Sequence, residues 1–323
     1  MSIGIVISTY NGSKYILEQL TSLINQTQII DKVLILDDCS TDNTVSIVKK
    51  FIEKNNLSTW LIEVNEENVG WKINFWRGIS LIDTDVIFLC DQDDIWMRDK
   101  VKIMTSIMQN KDITLLACGY TPYYGDDAHP IKINDALTRQ MTNSGKIIKI
   151  NFTPKFMYVD RPGCTYAVRH SLVELANNIW TPTVSHDGLL WRVSILTGGA
   201  YLLDRNLILW RRHGESATSM KQISKSSMLD KRYYNNLITF INPNIDFINS
   251  LLHFIKHDNL NLFEEKRNIL EKELSFNVYR KKVYDERRVL GVIKLVFMYH
   301  DFYFSLRSIL GEILIIWKMA FTR

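Results

Sequence analysis

Apolar residues in this chain follow two alternating rhythms over its first ninety positions. Ile3–Ser8, Val33–Leu36, Trp60–Val64 and Val86–Leu89 are short, nearly unbroken apolar runs. Such runs mark strands covered on both faces, as in a parallel sheet. Between them, apolar residues recur at helical spacing: Ile16, Leu20, Leu23 and Ile24, then Val45, Val48 and Ile52, then Phe75 and Ile79. Ser13 stands where it would cap the first of these helices. Each strand ends in a polar cluster: Thr9-Tyr10-Asn11-Gly12, Asp37 to Asp42, Asn65 to Gly70, and Asp91-Gln92-Asp93-Asp94. The order β-α-β-α-β-α-β therefore places every informative polar cluster at the carboxyl end of a strand, where open α/β sheets bind ligands.

Beyond this, the pattern predicts a helix over 99–108, a strand over 115–119 and an irregular stretch over 120–160. That stretch holds prolines and glycines, as loops that cover a substrate do. A turn and strand follow at 161–168, then helices from Ser171 and near Gly188, and two short strands, Ala200–Leu203 and Leu207–Trp210. From Ser224 onward helical spacing dominates. Lys294, Asp301, Ser305, Ser308 and Glu312 fall on one face of a single helix that is otherwise mostly apolar. The chain thus reads as two regions, 1–220 and 221–323.

Three carboxylates within four residues, Asp91, Asp93 and Asp94, repel one another unless a cation sits among them. On an extended segment Asp91 and Asp93 would point the same way. Their hard oxygens suit Mg2+ or Mn2+ held together with a substrate phosphate. The plainer alternative is an acidic turn in which Asp94 caps the next helix. Charge adds one detail. Lys plus Arg against Asp plus Glu gives 23 − 24 = −1 over 1–223, and 16 − 11 = +5 over 224–323. The basic excess, with Arg280, Lys281, Lys282, Arg287 and Arg288 clustered, suits an anionic surface as partner. The four cysteines have no metal-site spacing, and a reducing compartment is the simpler reading. The N-terminus lacks the features of a signal peptide, and no run reaches the roughly 18 apolar residues of a membrane span. Neither GxGxxG nor GxxxxGK[ST] follows the first strand.

Six segments taken together resemble the family 2 glycosyltransferases of GT-A fold. They are Ile5 to Gly12, Leu36 to Asp42, Asn68-Val69-Gly70, Asp91 to Trp96, His186-Asp187-Gly188-Leu189-Leu190 and Arg211-Arg212-His213-Gly214. The last two resemble segments of the rhamnosyltransferase-like bacterial members. The resemblance spans about residues 1–215. It implies a mainly parallel sheet flanked by helices, with a helical C-terminal extension. Ser8, Thr9, Tyr10 and Asn11 would lie beside the nucleotide, and Asp38 would accept from the base N3–H, which suits uracil or thymine. Asn68, Gly70, Asp91 and Gln92 would line the donor. Asp93 would ligate Mg2+ or Mn2+ on the diphosphate with His213 as a further contact, and Asp187 would be the general base. Lys72 and Asn74 either touch the donor or belong to a solvated helix face.

The implied reaction is a metal-dependent, inverting transfer, with L-rhamnose on dTDP as the leading donor. The implied acceptor is a polyprenyl-diphosphate-linked glycan of O-antigen or capsule type. The enzyme would then work at the cytoplasmic membrane surface, its C-terminal helices touching lipid or forming a homodimer interface. A nucleotidyltransferase is the alternative enzyme, although its glycine- and lysine-rich first loop is missing. An inactive nucleotide-sugar-binding scaffold is the alternative outside catalysis. Nucleic-acid binding has only the basic tail behind it.

Overall fold

The computed structural model describes residues 1–124, 141–213, 231–257, 264–303 and 306–321. The chain forms two compact units: Met1–Asn151 with Val159–Ser219, and Phe152–Tyr158 with Met220–Arg323. The segment 152–158, expected among substrate-covering loops, belongs to the second.

The first unit is organised by a nine-stranded sheet. Its opening half alternates as the apolar pattern predicts: β1 (Ile3–Thr9), α1 (Ile16–Ile24), β2 (Lys32–Asp37), α2 (Thr44–Lys54), β3 (Trp60–Val64), α3 (Trp71–Leu81) and β4 (Val86–Cys90). These four strands are parallel and adjacent, in the order β3-β2-β1-β4. Ile5, Ile7, Ile35 and Phe88 lie in one core with Leu20 and Leu23 of α1. Burial on this scale is the main favourable term in folding. Ser13 does not cap α1: its backbone N–H goes to Asp42 Oδ2, while the Gly12 carbonyl accepts from both Tyr15 and Ile16.

The second half makes the sheet mixed. It contains β5 (Ile95–Trp96), α4 (Lys100–Ile107), β6 (Leu115–Tyr123), β7 (Ile147–Lys149), β8 (Tyr166–Arg169), α5 (His170–Asn177), α6 (His186–Thr197) and β9 (Ala200–Arg211). Strand β8 runs antiparallel between β4 and β6; β9 lies parallel to β6 and antiparallel to β5 and β7. The two strands expected over 200–210 are one strand. Its apparent break, Asp204-Arg205, is a bulge, where pairing slips from Leu203↔Cys118 to Asn206↔Gly119. There the Asp204 carboxylate accepts from the backbone N–H groups of Thr142, Asn143 and Ser144, which ties down that loop.

In the second unit, α7 (Lys231–His257), α8 (Glu264–Asp285), α9 (Val289–Tyr299) and α10 (Leu306–Phe321) surround two small apolar clusters. Val283, Tyr284, Val292 and Ile316 meet in one; Phe276, Leu295, Phe302 and Tyr303 meet in the other. The expected single helical face from Lys294 to Glu312 does not form. Helix α9 stops at Tyr299 and a 3-10 turn, His300–Phe302, follows. That turn sends Phe302 and Tyr303 inward against Phe276. Glu312 is buried too, its Oε1 2.6 Å from Arg280 Nε, so Arg280 leaves the expected basic surface cluster.

Candidate active site

The parallel strands end level with one another. Thr9 pairs with Asp37, Asp37 with Val64, and Ile7 with Cys90, so the loops that follow leave from one rim. Side chains then tie those loops together. Asn11, at φ +47°, takes the left-handed conformation that asparagine tolerates. It accepts from Thr41 N through Oδ1 (2.8 Å), and its own N–H goes to Ser40 Oγ. Thr9 Oγ1 donates to Asp37 Oδ2 (2.7 Å). The Gln92 amide brackets Tyr10, accepting from its N–H (2.9 Å) and donating to its carbonyl (3.0 Å). A Cβ on Gly12 would lie 2.1 Å from Gln92 Oε1, so this clasp requires glycine there. The Tyr10 ring stays 47% exposed, a flat apolar face at the rim.

Asp38 is buried and shapes the next loop. Its Oδ1 accepts from Asn65 Nδ2 (2.9 Å) and Val69 N (2.8 Å), and its Oδ2 from Gly70 N (2.8 Å). A carboxylate offers about four acceptor sites, so one remains. Asn68 Nδ2 donates to the Asp38 carbonyl. Asn74 is buried beneath, donating to Ser8 Oγ and Leu36 O and accepting from Asn65. It is therefore a strut under the rim, not part of a solvated face. Lys72 reaches the Thr183 carbonyl.

An extended segment would set Asp91 and Asp93 side by side; the segment is instead a turn. The chain reverses there so that Ile95 and Trp96 can run antiparallel to Leu209 and Ile208. Asp91 groups with Asp94 and Cys164, their ligand atoms within 4.8 Å of one another. Asp93 points to the end of β9, where its Oδ2 is 2.7 Å from His213 Nε2. Asp94 caps no helix: it is buried, and its Oδ1 accepts from Arg211 N (2.9 Å). Arg211 also donates from Nε to the Asp93 carbonyl (2.7 Å) and pairs with Glu18. One buried arginine therefore ties the turn to the end of β9 and to α1.

The turn is electrostatically stressed. Burial, the neighbouring Asp93 charge and the Asp187 charge push Asp91 up to about 7. Burial and the charges of Asp93 and Asp91 push Asp94 well above the carboxylate range. Below them Lys100 is fully buried, donating to the Cys164 carbonyl (2.9 Å), its Nζ 3.3 Å from the Trp96 ring centroid. Burial lowers its pKa, and its charge pulls Asp91 down without outweighing burial and the neighbouring acids.

Asp187 enters from α6. Ser185, not Asp187, caps that helix, its Oγ accepting from Gly188 N, and Asp187 Oδ1 accepts from the same N–H (2.7 Å). His186 is buried, stacked on Phe75 (4.2 Å) and edge-on to Trp71 (5.8 Å), and burial lowers its pKa. A Cβ on Gly163 would lie 3.0 Å from both Asp187 Cβ and His186 Nε2. Glycine at 163 thus lets the 3-10 turn Gly163–Thr165, which leads into β8, press directly against the start of α6. The charge of Asp187 is among those that raise Asp91, and Gly163, against which Asp187 packs, precedes the Cys164 that groups with Asp91 and Asp94.

A divalent cation suits this geometry. Two ligand atoms on a small octahedral ion stand about 3 Å apart, so Asp93 Oδ2 and His213 Nε2 need only slight widening to share one. The Asp91–Asp94–Cys164 group is poorer: burial pushes the Cys164 thiol well up, away from the thiolate a metal needs. Four supports carried no role in the sequence expectations: Arg211, Lys100, Cys164 and Asn65. Arg211 stood inside a recognised segment. Lys100 had no signal, because a lysine at a helix start reads as surface.

The Glycosyl transferase family 2 profile matches residues 4–173. A dTDP-rhamnosyl transferase of Shigella flexneri, RfbG, is 26% identical over 251 residues, covering 72% of this chain and 82% of that protein. A poly(ribitol-phosphate) β-N-acetylglucosaminyltransferase of Staphylococcus aureus, TarS, is 33% identical over 104 residues, covering 32% of this chain and 18% of its own. The structure of TarS in complex with UDP-GlcNAc superposes with a TM-score of 0.57 at 16% identity, covering 99% of this chain and 92% of that one. A mannosyltransferase of Pyrobaculum calidifontis in complex with GDP-Man and Mn2+ superposes with a TM-score of 0.51 at 15% identity, covering 97% and 85%.

Proposed function

Because the chain belongs to glycosyl transferase family 2 and is a glycosyltransferase, we propose that its rim activates a nucleotide-diphosphate sugar by inverting displacement. The observation that carries this reading is the convergence of Asp93 with His213 (2.7 Å) beside an Asp91 that feels the charge of Asp187. These groups come from three separate segments, 91–93, 187 and 213, and leave negative charge in excess, as a cation-bridged diphosphate requires.

The named activity of the Shigella relative supports L-rhamnose on dTDP as the donor; UDP sugars are the nearest competitors. The base stacks on Tyr10 beside Ser8, Thr9 and Asn11, its N3–H on the remaining acceptor site of Asp38. Asn68 and Gly70 close the far edge, and Gln92 holds Tyr10 in place. Asp93 with His213 would hold Mg2+ or Mn2+, which when bound neutralises the charge growing on the leaving diphosphate. Asp187 removes the acceptor hydroxyl proton as that oxygen attacks the anomeric carbon. The anomeric C–O bond breaks as the new bond forms, and its electron pair departs with the nucleoside diphosphate. One base and no protein nucleophile give inversion.

The acceptor on this reading is a polyprenyl-diphosphate-linked glycan of an O-antigen or capsule pathway, met at the cytoplasmic face of the membrane. Residues 1–220 carry the chemistry and 221–323 the placement. Incubation with dTDP-rhamnose, UDP sugars and GDP-mannose plus Mn2+ tests the site. The expected result is release of nucleoside diphosphate from one donor, lost in Asp91→Ala and Asp93→Ala. Release undiminished in both variants would remove this mechanism.

A further inference from the structure

The second unit turns large apolar side chains toward solvent. On α9, Leu290, Ile293 and Phe297 are 80%, 65% and 84% exposed; on α10, Leu306, Leu310 and Trp317 are 79%, 61% and 55% exposed. Their spacings of three, four and seven make one stripe on each helix. The opposite faces, through Val292, Leu295 and Ile316, fill the unit's own core. Scattered exposed hydrophobics are ordinary, but contiguous stripes mark a contact surface.

The stripes themselves indicate what they touch. Lys294 lies within the α9 stripe and is exposed. Among the described residues of α9 and α10 the acid is Glu312, which is buried against Arg280. A second copy laid over this stripe would bury the Lys294 ammonium with no carboxylate from either helix to receive it. At a lipid surface the same side chain extends to the phosphates while its neighbours enter the acyl boundary. The surrounding sequence has the matching sign: residues 281–323 hold 8 Lys and Arg against 4 Asp and Glu. At 1.5 Å per residue, the 11 residues of α9 and the 16 of α10 give about 16 Å and about 24 Å. Both fall short of the ~30 Å hydrocarbon core, and no helix among the described residues is long and apolar enough to cross a membrane.

We propose that α9 and α10 lie in the surface of an anionic bilayer, their apolar stripes at the acyl boundary and Lys294 and Arg287 at the phosphates. The proposal deepens the reading of a lipid-linked acceptor and rests on it for its purpose, but its test is independent of catalysis. The full chain is floated with phosphatidylcholine vesicles, with or without roughly 30% phosphatidylglycerol, at low and high salt. Wild-type protein floats with the anionic vesicles, less so at high salt. The doubly substituted Phe297→Gln, Trp317→Gln protein loses at least about tenfold in partitioning. Its circular dichroism and its donor cleavage in vesicle-free solution stay at the wild-type level. Lys294→Gln alone loses roughly fivefold and some salt dependence. Wild-type protein that stays unbound, or a double variant that floats equally well, overturns the proposal. So does a double variant whose only change is from dimer to monomer in light scattering, since a second copy would then be the occupant. Donor cleavage without flotation removes this proposal alone; flotation without donor cleavage removes the catalytic reading alone.

Discussion

Both units bury carboxylates, and they treat them differently. In the helical unit, Glu312 meets Arg280 at 2.6 Å, and Glu273 accepts from Asn277 at 2.9 Å. Each acid has a partner supplied by the fold. At the strand rim, Asp91, Asp93 and Asp94 crowd one turn, and the buried Lys100 beneath them faces a carbonyl and an indole. The Arg280 guanidinium is held protonated by Glu312 despite its burial, whereas Asp91 is pushed up to about 7 and Asp94 well above its usual range. The helical unit partners its two buried acids from within, whereas Asp91 and Asp94 stay raised by burial and by their neighbours' charges; on the proposed reading that place takes a cation from outside. Asp38 sharpens the contrast, since a rim acid with three donors from its own loop is a structural bolt with one acceptor site to spare.

The largest effect expected is at the base. Asp187→Asn should lower kcat by about 10²–10⁴ while the far-ultraviolet spectrum is unchanged. An unchanged kcat would leave Asp187 as a helix-start residue only. The helical pair should fail in another way. Arg280→Met strands Glu312 and should destabilise its unit by about 3–5 kcal/mol in urea unfolding, and adding Glu312→Leu should recover most of the loss. Without that recovery, Arg280 acts by packing and the contrast between the units weakens.

How far this was visible beforehand follows the physics of each part. The parallel half was legible because each strand is a buried run and each helix has a periodic face, so Thr9, Asp38 and Asp91 fall at strand ends by counting. In the closing half α4, β6, β8, α5 and α6 were legible in the same way, but the pairing of the strands was not. Strand β5 is two residues long, Ile95–Trp96, and only its pairing with β9 reveals it. That pairing turns the acid segment and parts Asp91 from Asp93, which alternation along an extended chain had put together. Asp204-Arg205 read as a break because a bulge and a loop share polar composition. Residues read as ligand contacts, among them Gln92 and Asn11, also hold neighbouring loops, because a rim must be rigid before it can bind. Burial of Lys100, Asn74 and Glu312 had no local signal, since each is common on a helix surface.

Smaller effects probe the metal and the stressed turn. His213→Gln should weaken Mn2+ binding by about 10–100-fold, read by calorimetry with dTDP present, and leave metal-free nucleotide binding unaltered. Equal affinity would detach His213 from the ion. The raised pKa of Asp91 sets a mild pH effect of fixed sign. The native state keeps a proton that the unfolded chain gives up near the ordinary carboxylate pKa, so stability present in acid is lost as pH rises through about 7. The metal-free thermal midpoint should therefore fall by a few degrees between about pH 5.5 and about pH 8, and Asp91→Asn should flatten the profile. A midpoint that rises over that interval would mean the turn is already compensated from within.

Manganese binding, followed by electron paramagnetic resonance on metal-free protein with dTDP added, tests the reserved place for a cation most directly. One Mn2+ should be taken up per chain in the presence of dTDP by wild-type protein, and none at the same concentrations by Asp93→Ala. Full uptake by Asp93→Ala, or none by wild type, would show that the acids at the strand rim are not waiting for an ion.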